Sequence, residues 1–371
     1  MTEQTLIDLD AARQLGAERQ AASDAYEREH LQAFQAFHAG LEDKRNIVYM
    51  FFTGNLLHWL SRALVFVPAD ANVVLIGSDL AEDEIAWLRG HTSRPFHHVT
   101  ARLDDNAVLD FIFKTAEHHF GWLHIDCFVL NPDLFGEMMR FDGDVAINCI
   151  WAHPGIDQVD ILHSAFATIN FDVLTAIRGR GIEVSPCTYS YEGSPAGRTV
   201  TERPLYSRIP TPEQVELLRK VLPTGPDGLP QYSIGDHFEI LELYQLVANA
   251  LGYRLNQIRH LVRDGAVTAA HYSNEIIHVN GVSTYKLYKE ADAGQTYIAN
   301  QLYVLLLQAD YAILAAMGAD IPEPYAKLRQ ELEAGIGELG LDGGQVAQNL
   351  YGFLMSRGVS QESCARILGH A

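Results

Sequence analysis

With 371 residues, 48% of them apolar, the chain can bury the core of one large domain or two modest ones, and a folded globular protein is the expectation. Its 27 basic side chains stand against 47 acidic ones, a formal charge of −20 with no Lys/Arg cluster, which argues against a phosphate-backbone track and so against nucleic-acid binding. The four cysteines, Cys127, Cys149, Cys187 and Cys364, lack CxxC or other paired spacing and read as reduced core residues of a cytoplasmic protein. The N-terminus is polar and acidic, and the most apolar helical stretch, Leu302 to Met317, is interrupted by Gln308 and Asp310. Neither a signal peptide nor a membrane span is expected.

From Leu6 to about Leu41 the chain is rich in Ala, Glu, Gln and Arg, and Leu31, Phe34 and Phe37 recur at helical spacing, which predicts an N-terminal helical arm over 1–43. Short apolar runs then alternate with helical periods. Strands are predicted at Asn46 to Phe52, Asn72 to Gly77, Phe96 to Val99, Gly121 to Leu130 and Asp144 to Ile150, with helices at Leu56 to Val67, Ala81 to Arg89 and Asn106 to Glu117. That alternation implies an α/β fold with a mainly parallel sheet flanked by helices, in which ligands bind at the carboxyl ends of the strands. Glu192 to Gln231 holds seven of the 14 prolines and the cations Arg198, Arg203, Arg208, Arg219 and Lys220; it reads as a long loop with one short helix capped by Thr211 and opened by Pro212. Further helices are predicted from His237 to Leu251, ending at Gly252, from Thr296 to Met317, and through Gln345 to Leu368. The domain expectation is a body over 44–290, with 192–231 as its mobile loop, and a C-terminal helical region over 291–371.

Gly121 to Asn131 carries the most chemistry. An acid, Asp126, sits in an apolar run with His124 two residues before it, and burying a carboxylate costs several kcal/mol unless a metal, a proton or hydrogen-bond donors compensate it. Residues two apart on a strand share a face, so His124 and Asp126 are expected to point into one site. Ile276 to Ser283 has the same form, an apolar run ending in His278 near Gly281. The two strand ends are expected to meet around one ligand.

In this order the segments resemble the GT-A family of nucleotide-sugar-dependent glycosyltransferases. Asn46 to Asn55 is similar to that fold's first strand and nucleotide-facing turn, Leu103-Asp104-Asp105-Asn106 to its polar turn before the helix leading to the central strand, and Trp122 to Pro132 to the strand bearing the Asp-x-Asp signature. Gly235-Asp236-His237-Phe238-Glu239, running into Leu251-Gly252-Tyr253, resembles the acidic start of its late helix, and Ile277 to Gly281 its late His-x-x-Gly segment. The likeness spans roughly Asn46 to Lys286. The signature is degenerate. If Asp126 takes the first acidic position, Phe128 takes the second and binds no cation; if it takes the second, His124 takes the first, and a His-x-Asp site with His278 remains able to hold Mn²⁺ or Mg²⁺. Both registers stay open, as do an altered metal site and departure of the diphosphate assisted by cationic side chains and helix dipoles.

The resemblance implies transfer of a sugar from a nucleoside-diphosphate donor, such as a UDP-sugar, to a small-molecule or other nucleophilic acceptor. It implies a nucleotide pocket lined by Phe52, Thr53, Gly54, Asn55 and Asp105, with Asp126, His124 and His278 organising metal or diphosphate. Lys286 is expected to be a nearby cationic contact, and Asp236 the general base if the enzyme inverts or a substrate-positioning residue if it retains. The Pro- and Arg-rich loop is expected to close as a lid over the donor. Each residue also has a structural reading: His124 as a core histidine, Asp126 as an acceptor of backbone donors, and His278 with Gly281 as an edge turn. Asp236 with Glu239 reads as a capping box, and Asp104 and Asp105 as helix caps. The apolar helix containing Tyr303, Leu305, Leu306, Tyr311 and Leu314 reads as a packing element, with a homodimer contact as its alternative. A sugar-phosphate nucleotidyltransferase is the first rival, although Thr53-Gly54-Asn55 is sparse for a triphosphate loop. The second is a non-catalytic nucleotide-sugar-binding scaffold.

Overall fold

The computed structural model describes residues 21, 25, 28–103, 105–150, 152–156, 159–188, 211–224, 230, 237–263, 271–279, 281–282, 296–318 and 321–369. In chain order they form α1 (28–39), β1 (Ile47–Thr53), α2 (Leu57–Leu64), β2 (Val73–Ser78), α3 (Glu82–His91), β3 (Phe96–Val99), α4 (Asp105–Thr115), β4 (Phe120–Leu123), β5 (Cys127–Val129), α5 (Asp133–Met138), β6 (Val145–Cys149), β7 (Ala152–Ile156), β8 (Val159–Leu162), β9 (Phe166–Ile169) and α6 (Phe171–Arg178). There follow β10 (Cys187–Thr188), α7 (Pro212–Leu218), β11 (His237–Phe238), α8 (Ile240–Ala250), β12 (Arg254–Gln257), β13 (Val262–Arg263), β14 (His271–Tyr272), β15 (Ile276–His278), α9 (Thr296–Ala315), α10 (Glu323–Glu338), α11 (Gly343–Ser356) and α12 (Gln361–Leu368). The α/β alternation read from the sequence is borne out. No helix among the described residues is long and apolar enough to cross a membrane.

The chain divides into two compact units, each assembled from three stretches: Met1–Ile47, Leu103–Trp122 and Met138–Arg259 in one, and Val48–Arg102, Leu123–Glu137 and His260–Ala371 in the other. The second unit contains a parallel βαβαβ array. β1 runs alongside β2 in register from Val48 opposite Val73 to Thr53 opposite Ser78, and β2 alongside β3 from Leu75 opposite Phe96 to Ser78 opposite Val99. All six residues of β2 are buried, which is why this strand reads as a continuous apolar run rather than an alternation. β13, β14, β15 and β5 form a separate antiparallel sheet, with β5 paired to β15. The C-terminal helices belong to this unit, and α9 packs against α2 as well as α10 and α11.

In the first unit β12 pairs parallel with β6, and β9 pairs antiparallel with β6. An aromatic core joins its helices. Phe34 of α1 lies 6.4 Å from Phe111, and Phe113 packs edge-on to Phe120 and Tyr244. The Tyr244 hydroxyl donates to the Ala146 carbonyl, and the Gln245 amide pairs with both backbone groups of Leu162, so neither buried polar side chain is left in apolar surroundings without partners.

Three sequence expectations are corrected. The predicted strand Gly121 to Leu130 is two strands, β4 and β5, separated by a turn in which the Cys127 amide donates to the His124 carbonyl. The predicted helix at His237 begins instead at Ile240. His237–Phe238 pairs with Cys187–Thr188 as a short strand, and the cap is Glu239, whose amide donates to Glu242 at the third helical position. The predicted helix through Leu368 is two helices, parted at Gly358 (φ 81°) and restarted by Ser360, whose hydroxyl accepts from the Ser363 amide; α10 was not anticipated. Thr211 caps α7 as expected, with Gln214 reaching back to the Thr211 amide. Most of the Pro-rich loop, 189–210, 225–229 and 231–236, lies outside the described residues.

Candidate functional site

Antiparallel pairing brings His278 opposite Cys127, and the Val279 amide donates to the Asp126 carbonyl at 2.9 Å. The other end of the pair is closed by Asn131, whose amide and side chain both reach Glu275. This register sets the His278 imidazole beside the Asp126 carboxylate, Nε2 to Oδ1 at 3.5 Å. The turn between β4 and β5 does the rest. It swings His124 back so that Nδ1 lies 3.9 Å from the same oxygen, and the two imidazoles meet edge-on with centroids 5.5 Å apart. His124 and Asp126 therefore converge through a turn rather than through strand alternation.

The three side chains offer ligand atoms that all lie within 4.8 Å of one another. Two atoms each bound at about 2.2 Å to one ion are at most about 4.4 Å apart, so the 3.5 and 3.9 Å pairs already fit and the third, within 4.8 Å, has at most about 0.4 Å to contract. Asp126 and His278 are buried, and the His124 side chain is 23% exposed. Burial pushes His124 down to about 4, which leaves a neutral imidazole with a lone pair to donate at neutral pH. For Asp126 burial acts upward, but the neighbouring His278 and, to a lesser degree, His124 outweigh it and hold the carboxyl below the usual carboxylate range. The donor set of two imidazoles and one anionic carboxylate is chemically fit for a divalent transition-metal ion.

In the same unit, β1 ends in a tight turn. The Gly54 amide donates to the Ser78 carbonyl, and a Cβ at Gly54 would stand 2.8 Å from the Asp79 carbonyl oxygen, so no other residue fits without a shift. Asn55 follows with φ 69°, a left-handed conformation that Asn tolerates better than most. Its amide donates to Glu84 Oε1 at 2.9 Å. Phe52 is buried, stacked near Phe96, while Thr53 and Gly54 are partly accessible.

Asp105 lies in the other unit at the first residue of α4, where its carboxylate accepts from the Asn106 amide at 3.1 Å; burial pushes its carboxyl up. Asp104, Asp236 and Lys286 lie outside the described residues. Asp310 and Glu84 are among the described buried acids that draw no functional reading from the sequence. Asp310, in the apolar α9, pairs with His58 and accepts from the Trp59 indole at 2.8 Å. Glu84, only 2% exposed, joins the β1 turn to α3 and α10.

Residues 24–174 match the family model described as the StrH glycosyltransferase N-terminal domain. Over 163 residues the chain is 30% identical to a dTDP-dihydrostreptose--streptidine-6-phosphate dihydrostreptosyltransferase of Streptomyces griseus, covering 43% of this chain and 42% of that relative. The chain thus spans about two-fifths of the length of the curated relative it matches. Among solved structures it is similar to the glycosyltransferase GlyE of Streptococcus pneumoniae, at 11% identity, 46% of each chain and a TM-score of 0.26. It is also similar to a cytidylyltransferase from Leptospira borgpetersenii, at 13% identity, 46% of this chain, 76% of that one and a TM-score of 0.24. The likeness to glycosyltransferases read from the sequence is borne out over residues 24–174, a stretch that includes Phe52 to Asn55, Asp105, His124 and Asp126. His278 lies beyond it.

Proposed function

We propose that this glycosyltransferase-like chain moves a sugar from a nucleoside-diphosphate donor to a nucleophilic acceptor, on a GT-A-like body over 44–290 with helical extensions at 1–43 and 291–371. The observation that carries the reading is the meeting of His124, Asp126 and His278 from segments about 150 residues apart. In such a transfer the acceptor oxygen bonds to the anomeric carbon while the bond from that carbon to the diphosphate oxygen breaks. The diphosphate leaves with the electron pair, and the acceptor proton passes to a base. Negative charge builds on the leaving diphosphate, and the site must meet it.

His124, Asp126 and His278 would hold a divalent cation, and their mixed nitrogen and oxygen set suits Mn²⁺ better than Mg²⁺, which prefers oxygen ligands and retained water. When bound, that cation neutralises the departing diphosphate. Phe52, Thr53, Gly54 and Asn55 would line the nucleotide. Asp236, from the family resemblance, would be the base; Lys286 would be a further cationic contact, and the loop over 192–231, by its Pro- and Arg-rich composition, a lid. The Streptomyces griseus relative is named for a dTDP-sugar and a phosphorylated acceptor. That name favours a dTDP-sugar over a UDP-sugar here, and a small polar acceptor. Cys127, Cys149 and Cys364 are buried, in keeping with reduced core thiols and a cytoplasmic setting.

The β1 turn weighs against nucleotidyl transfer. Its Asn55 amide is taken by a carboxylate, Glu84, where a triphosphate loop would leave backbone amides facing the ligand. A thermal-shift panel of UDP, dTDP, GDP and CDP with their sugars, with and without Mn²⁺, tests the reading: one nucleotide family raises the melting temperature, and Mn²⁺ deepens the effect. Absence of any nucleotide response would sink it. Donor binding with neither transfer nor hydrolysis would leave the scaffold alternative, and pyrophosphate release would restore nucleotidyl transfer.

A further inference from the structure

Glu84 is a buried carboxylate outside the His–Asp–His cluster, and one of its oxygens reaches the turn after β1 both directly and through Tyr325. It sits at the third position of α3, where Oε2 accepts from the Ala81 amide at 2.8 Å and the helix N-terminus favours its negative charge. Oε1 accepts from the Asn55 amide at 2.9 Å and from the Tyr325 hydroxyl at 2.7 Å. Tyr325, fully buried in α10, in turn accepts from the Leu57 amide at 2.8 Å, the first residue of α2. Burial and the neighbouring Glu84 push its phenol well above the usual value, so it remains a donor. Two amides of one turn, at Asn55 and Leu57, are thus fixed by two side chains distant in sequence. Asp310 of α9 holds the next two residues of the same helix through His58 and Trp59.

We infer that Glu84 and Tyr325 are positioning residues of the donor site, holding the Gly54–Asn55 turn in its left-handed shape so that it presents Thr53 and Asn55 to the nucleotide. The C-terminal helices then belong to the donor-binding machinery rather than forming a separate appendage. The inference rests on the proposed nucleotide-binding role of that turn. Releasing either side chain leaves a buried amide or carboxylate without its partner, which a local rearrangement of the turn relieves. The donor then meets a turn that must be reordered on binding.

The test compares wild type, Glu84→Gln and Tyr325→Phe by hydrogen exchange at residues 53–60, by Mn²⁺ affinity, and by titration with the nucleotide that stabilises the wild type. Both variants are expected to exchange faster at Asn55 and Leu57, to bind that nucleotide about tenfold more weakly, and to keep Mn²⁺ affinity, because the His–Asp–His cluster is built on other elements. Glu84→Gln retains one acceptor oxygen and so guards against a variant that fails to fold. Faster exchange with unchanged nucleotide affinity would overturn the inference, as would slower-than-expected exchange identical to wild type. A wild type that binds no nucleotide overturns it as well, and is recognised before any variant is made because it removes the proposed function first.

Discussion

Asp110 and Asp126 are both buried acids in apolar segments, one in each compact unit, and they are partnered in opposite ways. Asp110 in α4 is closed off: Lys114 Nζ and Ser185 Oγ each lie at 2.7 Å, charge and hydrogen bonds supplied at ideal length. Burial still pushes its carboxyl up, against the pull of Lys114. Asp126 faces two imidazoles at 3.5 and 3.9 Å, longer than good hydrogen bonds, and its carboxyl is nevertheless held low. A buried acid with short, complete partners is structure. One held anionic among lone-pair donors at spacing wide enough for an ion has the form of a site.

The sharpest way to break that contrast is to neutralise each acid. Asp126→Asn removes the anionic ligand with little change of volume, and sugar transfer is expected to fall about 10²- to 10³-fold, the size seen when one preorganised electrostatic group is lost. The melting temperature should move little, as calorimetry would check. Normal turnover would strip Asp126 of its role. Asp110→Ala is expected to do the reverse, costing about 3 kcal/mol of stability in chemical denaturation by breaking the buried Asp110–Lys114 pair. That is the low end for a broken buried pair, because the Lys114 side chain keeps 16% exposure and can turn toward water. Nucleotide affinity below the transition should stay at the wild-type value. If both variants lose activity and stability alike, the distinction between the two acids fails.

Mn²⁺ sharpens the same comparison at a smaller scale. At 100 times its dissociation constant an ion specific to the folded state stabilises by about 2.7 kcal/mol. That increment is expected in wild type and in Asp110→Ala, and should vanish in His278→Ala, as melts with and without the metal would report. A full Mn²⁺ response in His278→Ala would remove that histidine from the ligand set.

Much of this was legible in the chain because of where apolar runs are interrupted. β1 and β2 announced themselves as buried runs separated by a helical period, and Asp126 stood out as an acid that burial must compensate. The break at His124-Ile125-Asp126 was not legible, since that turn contains no Gly, Pro or Asn and Ile125 continues the apolar pattern. The pairing of β15 with β5 joins segments about 150 residues apart, and nothing local in either fixes its register. Asp310 gave the same signal as Asp126, an acid inside an apolar helix, yet it reads only as an argument against a membrane span until His58 and Trp59 are seen beside it. Glu84 gave none. In Glu82-Asp83-Glu84 it looks like a solvated helix start, and only the fold reveals that one of the three points inward.

The smallest expected effect concerns pH and separates a histidine that serves packing from those in the site. His119 Nδ1 accepts from the Phe171 amide at 3.0 Å, the first residue of α6, and can do so only while that nitrogen carries no proton. Burial lowers its pKa from the ordinary 6.5, with Asp172 opposing and His118 assisting. The unfolded chain therefore takes up the proton first as pH falls, so this contribution to stability is complete above pH 6.5 and is lost as pH drops through the lower folded value. Replacing His119 by Phe removes the acceptor, costing about 1 kcal/mol at pH 7.5, and the penalty should shrink progressively as pH falls below 6.5 and through the lower folded value. Thermal melts of the two proteins across that range would converge at the acid end. Curves that stay parallel would mean that the Phe171 amide does not depend on a neutral His119, and that this half-buried histidine contributes by packing alone.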